Sequence, residues 1–327
     1  MKKVSIALSV AVVLIVITQT YKPQLPHKQL AAASYTFTQT QTATDTVRLL
    51  FVGDIMLGRY VETLSRKDKN YPFSNVGSLL SSSDAVIANL EGPIPDQHKQ
   101  TPSGSVRFSF TADAAEILAQ NRINIVTLAN NHAFDQGEAG LSSTRSALGA
   151  AGILYFGHPT KISDRDVIRV TIKNKNFVFI GIHATDEKTF SIPQAVSAVK
   201  KMAIYPDDIV IAFVHAGTEY ELHSSQFQRD LYHSLIDEAG VDAVIGAHPH
   251  VVQEVEEYQG KPIFYSLGNF VFDQYFSDDV QKGLAVQFTY HNDDFSYELI
   301  PLQSSRSQPY VLSGAKKEVF LKDLANR

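Results

Sequence analysis

From Val47 onward the chain repeats one pattern. A short run of β-branched and other apolar residues stops at a polar residue or a glycine, and a segment with apolar residues at helical spacing follows. This is the signature of an α/β fold, because a strand buried on both faces reads as a continuous apolar run and the helix covering it reads as a stripe. The first half predicts strands over Val47–Gly53, Asp84–Leu90 and Ile123–Ala129, and helices over Arg59–Ser65, Ala112–Asn121 and Glu138–Ala151. The second half predicts strands over Asp166–Ile172, Phe177–His183, Ile209–His215 and Asp242–Gly246, with helices over Pro193–Met202 and Ser225–Ala239. Three more strand-like runs follow at Val251–Tyr258, Ile263–Leu267 and Leu284–Tyr290. Gly152 and Gly240 stand where their helices should stop.

The N-terminal residues obey other rules. Met-Lys-Lys precedes an uncharged apolar run to Ile17, the order of an export signal, and continuation to Tyr21 brings it close to the roughly 20 residues a spanning helix needs. We expect residues 1–21 to be a signal anchor, residues 22–46 a polar linker, 47–305 the folded domain and 306–327 a C-terminal extension. With the lysines held inside, the domain lies outside the cytoplasm on a single anchor; cleavage near Ala31-Ala-Ala-Ser34 would instead secrete it. A formal net charge of -5 with no long basic cluster argues against nucleic acid as a partner. The chain has no cysteine, so any metal must be held by imidazole, carboxylate or amide oxygen.

In open α/β sheets ligands bind beyond the carboxyl ends of the strands, so the residues just after each apolar run matter most. They share one chemistry: Asp54, then Asn89-Leu90-Glu91, then Asn130-Asn131-His132, and later His183, His215, and His248 and His250 flanking Pro249. Singly, such residues are turn formers or packing residues; together they describe a metal pocket at one edge of a sheet. In extended chain His248 and His250 would face one side, and Gly246 would let the backbone turn out of its strand. Asp54, Glu91, Asn131, His215, His248 and His250 offer more donors than one four-coordinate ion uses. Two divalent ions bridged by a carboxylate, roughly 3.5–4 Å apart, suit the set, and Mn, Zn or Fe suits the donors.

The blocks GDIMLGR (Gly53–Arg59), ANLEGPI (Ala88–Ile94), ANNHAFDQG (Ala129–Gly137), HAGTEY (His215–Tyr220), GAHPHVVQ (Gly246–Gln253) and YSLGNFVFDQ (Tyr265–Gln274) resemble the CapA/PgsA-type capsule and poly-γ-glutamate biosynthesis proteins. The resemblance implies a metallophosphoesterase-like, four-layer α/β/β/α sandwich with two mixed sheets. It also implies a membrane-anchored component of capsule assembly, whose partners are an anionic polymer such as poly-γ-glutamate, or a phosphoester, and the membrane proteins of a synthesis complex. Carried over by motif, Asp54 is the first metal aspartate, Glu91 the bridging acid, Asn131 an amide ligand, and His215, His248 and His250 the remaining ligands. His132 then faces substrate as proton donor, and Arg59, Glu219 and Tyr220 are candidates for substrate contact. Asn269 and Asp273 can equally be structural.

Three departures bear on activity. Asp54-Ile55-Met56 stands where the phosphoesterase pattern has Asp-x-His, so one imidazole is lost. Ala216 stands where the capsule family usually has tryptophan, and Ala247 where a further histidine is common. The implied activity is therefore either metal-dependent hydrolysis of a phosphoester or other cell-envelope substrate, or non-catalytic binding and export of an anionic polymer.

Overall fold

In the computed structural model the described residues are 34–37, 46–202, 204–291 and 294–327. The expected anchor, residues 1–21, and most of the expected linker lie outside them. Among the described residues no helix is long and apolar enough to cross a membrane.

In chain order the first elements are β1 (Ser34–Phe37), β2 (Val47–Ile55), α1 (Arg59–Leu64), α2 (Gly77–Leu80), β3 (Ala85–Leu90), α3 (Ala114–Gln120), β4 (Ile125–Thr127), α4 (Gly137–Ala150) and β5 (Leu154–Phe156). There follow β6 (Ile168–Ile172), β7 (Lys175–Ala184), α5 (Ile192–Lys200), β8 (Asp208–Ala216), α6 (Gln226–Asp237), β9 (Ala243–Ala247), β10 (Val255–Tyr258) and β11 (Lys261–Phe264). The chain closes with β12 (Asn269–Val271), β13 (Lys282–His291), β14 (Asp294–Ser305), β15 (Gln308–Val311) and α7 (Gly314–Leu324).

The strands form two mixed sheets. One has the order β1-β6-β7-β8-β9-β11-β10, the other β15-β14-β13-β2-β3-β4-β5, with β12 paired to β2. Their inner faces meet in one apolar core: Val47, Leu49 and Phe51 of β2 and Val286 and Phe288 of β13 pack on Phe177 and Phe179 of β7 and Phe213 of β8. The alternate residues Leu50 and Val52 point outward under α1 to α4, and Ile180, Ile182, Ala212 and Val214 point outward under α5 and α6. The described residues thus build four layers, helices over sheet over sheet over helices. This explains why β2, β7 and β8 read as apolar runs: both faces of their central residues are buried.

Helix ends follow the expected chemistry. Gly152 takes φ +74° after α4, where the Ile153 N–H reaches back to Leu148 O at 2.9 Å, and Gly240 takes φ +73° after α6. Ser225 opens α6 through a reciprocal capping box with Gln228. Two readings differ from the sequence. The run Val251–Tyr258 becomes a strand only from Val255, after a turn in which His248 and His250 take positive φ and Val252 packs into the core between the sheets. Residues 306–327 carry β15, antiparallel to β14, and α7, whose Phe320 and Leu324 enter the inter-sheet core. Strands β5, β12 and β14 gave too little apolar signal to be read, being short or half exposed.

The topology positions the site. β2, β3 and β4 are parallel in one sheet, and β7, β8 and β9 are parallel in the other. Register sets Asp54 beside Asn89, and His215 beside Ala247. The segment Tyr265–Asn269 crosses from one sheet to the other, pressing so closely on both that a Cβ at Gly246 would lie 1.9 Å from Tyr265 O and one at Gly53 would lie 1.8 Å from Gly268 O. Gly246 is required by this crossing backbone, not by a sharp turn at the end of β9.

Candidate metal centre

Asp54 at the end of β2, Glu91 just past β3 and His250 just past β9 converge, with one ligand atom from each lying within 4.8 Å of the others. His250 Nδ1 is 3.3 Å from Asp54 Oδ2, and its Nε2 is 3.6 Å from Glu91 Oε1. All three side chains are buried. Two buried carboxylates facing each other cannot both hold charge cheaply, and burial first, then the Asp54 charge, pushes the Glu91 carboxyl well above its ordinary range.

His250 is aimed by a partner outside this group. Its Nδ1 lies 3.0 Å from Asn269 Oδ1, on the crossing segment; donation there leaves Nε2 with its lone pair. Asn269 is thus part of the site's support. Asn89 ties the group together, its Nδ2 lying 2.8 Å from Asp54 Oδ1 and 3.3 Å from Glu91 Oε2. Asn130 Nδ2 in turn donates to Asn89 Oδ1 at 2.9 Å and to Leu90 O at 2.8 Å. Neither amide was assigned a role from the sequence, although Asn89 and Glu91 lie two apart at a strand end, where side chains share a face.

His215 and Asn131 meet, with Nε2 2.8 Å from Asn131 Oδ1, and the His215 and His248 rings lie 4.8 Å apart between centroids. Burial, then the neighbouring His248, holds the His215 imidazole well below its ordinary range. Burial, then His250, brings His248 down to about 3. Both rings are neutral at neutral pH, the form that ligates metal. The two histidines of the His-Pro-His turn do not lie in extended chain. His248 has φ +99° and His250 φ +59°, and this left-handed backbone brings both rings into the crevice.

His132 sits at the edge of the group, its Nε2 3.9 Å from Glu91 Oε1. Its Nδ1 is 2.8 Å from Asp135 Oδ2, and Phe108 stacks on the ring at 3.9 Å between centroids. Asp135 was not singled out from the sequence, though its place three residues after His132 put it within reach. Tyr220 lies over His250 with ring centroids 6.1 Å apart, in a left-handed backbone held by its N–H on Pro249 O at 2.8 Å. Burial, then the Glu219 charge, pushes its phenol up to about 12, so it stays a donor. Glu219 is exposed at the rim.

Other candidates lie apart. Arg59 is engaged by the protein itself: its Nε donates to Asp273 Oδ1 at 2.9 Å, its Nη1 donates to Ser105 O at 3.0 Å and its Nη2 pairs with Asp273. His183 has both ring nitrogens bound, Nδ1 to Pro159 O at 2.6 Å and Nε2 to Thr185 Oγ1 at 2.7 Å. Met56, where an imidazole would be usual, is buried in the apolar core beneath α1 and accepts the Gly58 N–H at 3.2 Å.

The donor set fits a divalent cation. Glu91 Oε1 and His248 Nδ1 are buried atoms with no hydrogen-bond partner among the described residues, and orphaned buried groups of this kind are costly unless something pairs them. Oxygen and imidazole donors without sulfur suit Mn, Zn or Fe.

Comparison with known proteins agrees with these observations. The family model described as bacterial capsule synthesis protein PGA_cap matches residues 48–274. The PGA biosynthesis protein CapA of Bacillus subtilis is 32% identical over 318 residues, covering 90% of this chain and 82% of that protein. The capsule biosynthesis protein CapA of Bacillus anthracis is 29% identical over 293 residues, covering 83% and 71%. Among solved structures, a hypothetical protein from Thermus thermophilus shares the fold with a TM-score of 0.52 at 15% identity, over 81% of this chain and 99% of that one. Spanning all six blocks from which the centre is built, the match shows that the chain belongs to the bacterial capsule synthesis protein family.

Proposed function

We propose that the protein works in poly-γ-glutamate or capsule synthesis from the outer face of the cell membrane, as a metal-dependent hydrolase on a metallophosphoesterase-like fold. The names of the two Bacillus relatives, a PGA biosynthesis protein and a capsule biosynthesis protein, support the pathway. The observation that carries the chemistry is the buried group of Asp54, Glu91 and His250 with His132 beside it.

Asp54, Glu91 and His250 would hold a divalent ion, and His215, His248 and Asn131 are the donors that would hold a second. Such ions, when bound, would supply Lewis acidity for activating water and neutralising charge on substrate oxygen. The chain does the rest. His132, oriented by Asp135 and stacked on Phe108, delivers a proton to the leaving group. Tyr220, protonated across the working pH range, offers its hydroxyl at the rim beside Glu219. Arg59 braces the mouth by tying the β12 end to the 105–108 loop.

A second reading, polymer binding without turnover, draws on Met56: the place of one usual imidazole is filled with apolar core, which weakens one half of the centre. Metal analysis of the purified protein and turnover of a phosphoester with added manganese separate the two. A bound divalent metal and rates that collapse in His132→Ala support the hydrolase. Metal without turnover moves the assignment to binding, and equal rates in both proteins overturn the proton-donor role of His132. Absence of metal uptake overturns the centre itself.

A further inference from the structure

β1 fixes the direction from which the chain enters the folded domain. It pairs in parallel with β6 at the edge of its sheet, Ser34 opposite Arg169 and Phe37 opposite Ile172. β6 runs antiparallel to β7, with Arg169 opposite Val178 and Ile172 opposite Lys175, the first residue of β7. β7 runs towards the crevice, as β8 and β9 do beside it. β1 therefore runs away from the crevice, and the chain before Ser34 meets the sheet from the crevice end. Residues 22–33 separate Ser34 from the expected anchor, a reach of roughly 40 Å when fully extended. Val178 lies six residues before the end of β7 at Ala184, so about 20 Å of that reach is used in drawing level with the crevice mouth.

The mouth itself presents apolar side chains to solvent. Val106 is 82% exposed on the loop between β3 and α3, a loop fixed on both sides of it by Arg59 Nη1 on Ser105 O at 3.0 Å and by the Phe108 ring on His132. Phe276 is 65% exposed on the loop after β12, which leaves the sheet at the end of β2, where Val271 pairs with Ile55. Its ring lies 5.0 Å from that of Tyr220, 43% exposed, which in turn lies over His250. Charges at the rim are mixed, Arg107 against Glu219 and Glu221, so what the rim offers a partner is apolar contact and not net charge. Exposed aromatic and aliphatic tips set around a polar centre suit a surface at lipid headgroup level.

We propose that the rim of Val106, Tyr220 and Phe276 rests on the lipid surface that holds the chain's own anchor, with the metal centre facing the bilayer. This rests on the membrane reading above. Two independent observations carry it, the direction of β1 and the apolar rim, and both pick the same end of the domain. The substrate bond is then one presented at headgroup level.

The chain contains no tryptophan, so a single substitution places a single reporter. Full-length Phe276→Trp, Val106→Trp and Phe295→Trp, each reconstituted into phosphatidylcholine vesicles with brominated or unbrominated acyl chains, test the orientation. Phe295 stands at the far end of the domain, opposite Tyr290, which pairs with Val47 at the start of β2. Expected on brominated lipid is a loss of at least about half the emission from positions 276 and 106, since rings at headgroup level reach the acyl boundary, and no loss from position 295. Flotation with the vesicles reports the anchor. A chain that floats without quenching at 276 and 106, as when a protein partner covers the rim instead, overturns the orientation and leaves the anchor standing; so does quenching at 295. A chain that does not float overturns both.

Discussion

Asp135 Oδ2 lies 2.8 Å from His132 Nδ1 and accepts the Phe108 N–H at 2.6 Å, so one carboxylate fixes both the imidazole and the ring stacked on it. An acid in this place selects the tautomer with its proton on Nδ1 and stabilises the ring when it is charged. It acts through His132 and is a positioning residue.

Substituting Asp135→Asn should therefore lower kcat about 10- to 100-fold, with KM nearly unmoved and the pH profile of kcat displaced. His132→Ala should cost about 10²–10⁴. Steady-state kinetics on a phosphoester, with metal content as control, reads this. An unchanged pH profile in Asp135→Asn would mean that the pair is merely structural.

Removal of metal ligands should act on metal and stability together. His250→Ala removes the imidazole that faces both Asp54 and Glu91, and Asp54→Asn removes one of the two carboxylates; both should lose most bound manganese. A ligand at 100 times its dissociation constant stabilises by about 2.7 kcal/mol. Chelation should lower the wild-type Tm by several degrees, and added manganese should restore it; in the two variants, manganese should leave Tm where it was.

The metal-free protein should lose stability on acidification below about pH 6.5. His215 and His248 have lowered pKa values, so below about 6.5 the unfolded chain takes up two protons that the folded chain refuses. Glu91 has a raised pKa and acts in the opposite sense, because the folded chain keeps a proton that the unfolded chain loses above 4.5. Two imidazoles outweigh one carboxyl, so between 4.5 and 6.5 stability falls on acidification with a net slope on the order of 1 kcal/mol per pH unit. Urea midpoints across pH should show this loss, and Glu91→Gln, which removes the opposing proton, should steepen it.

Gly246→Ala should be severely destabilising. The added methyl would lie 1.9 Å from Tyr265 O, a backbone atom in a segment packed between two sheets. A loss of more than about 3 kcal/mol is expected, as for strong overpacking, with weaker metal binding because the same segment carries Asn269. A midpoint within about 0.5 kcal/mol of wild type would mean that the crossing is soft.

Arg59→Ala should fail through stability before it fails through substrate affinity. It leaves Asp273, almost wholly buried, without its cation, at a cost of about 3–5 kcal/mol. A variant that keeps its midpoint but raises KM would restore Arg59 as a substrate contact.

Most of the architecture was legible because strands buried on both faces leave unmistakable runs, as in Phe177–His183 and Ile209–His215. Elements lacking such runs were missed: β14 is half exposed, and β5 and β12 are three residues each. Asp54, Glu91 and His250 were named from their places after three separate runs, and parallel strands brought them together. Asn89, Asn130 and Asp135 were quoted within the motifs yet given no task, since an amide or carboxylate that supports a ligand looks like any turn residue until its partner is known.

By itself the sequence determined the donor chemistry, the strand order of those donors and the family. Tertiary structure decided the rest. The left-handed backbone at His248 and His250, not an extended strand, turns both rings inward. Arg59 is paired with Asp273 and His183 is occupied on both nitrogens, partners that position after a strand does not reveal. The reason is physical: a side chain's type and place are local properties, but whether its polar atoms are satisfied depends on which groups the fold brings beside it, 214 residues away in the case of Arg59 and Asp273.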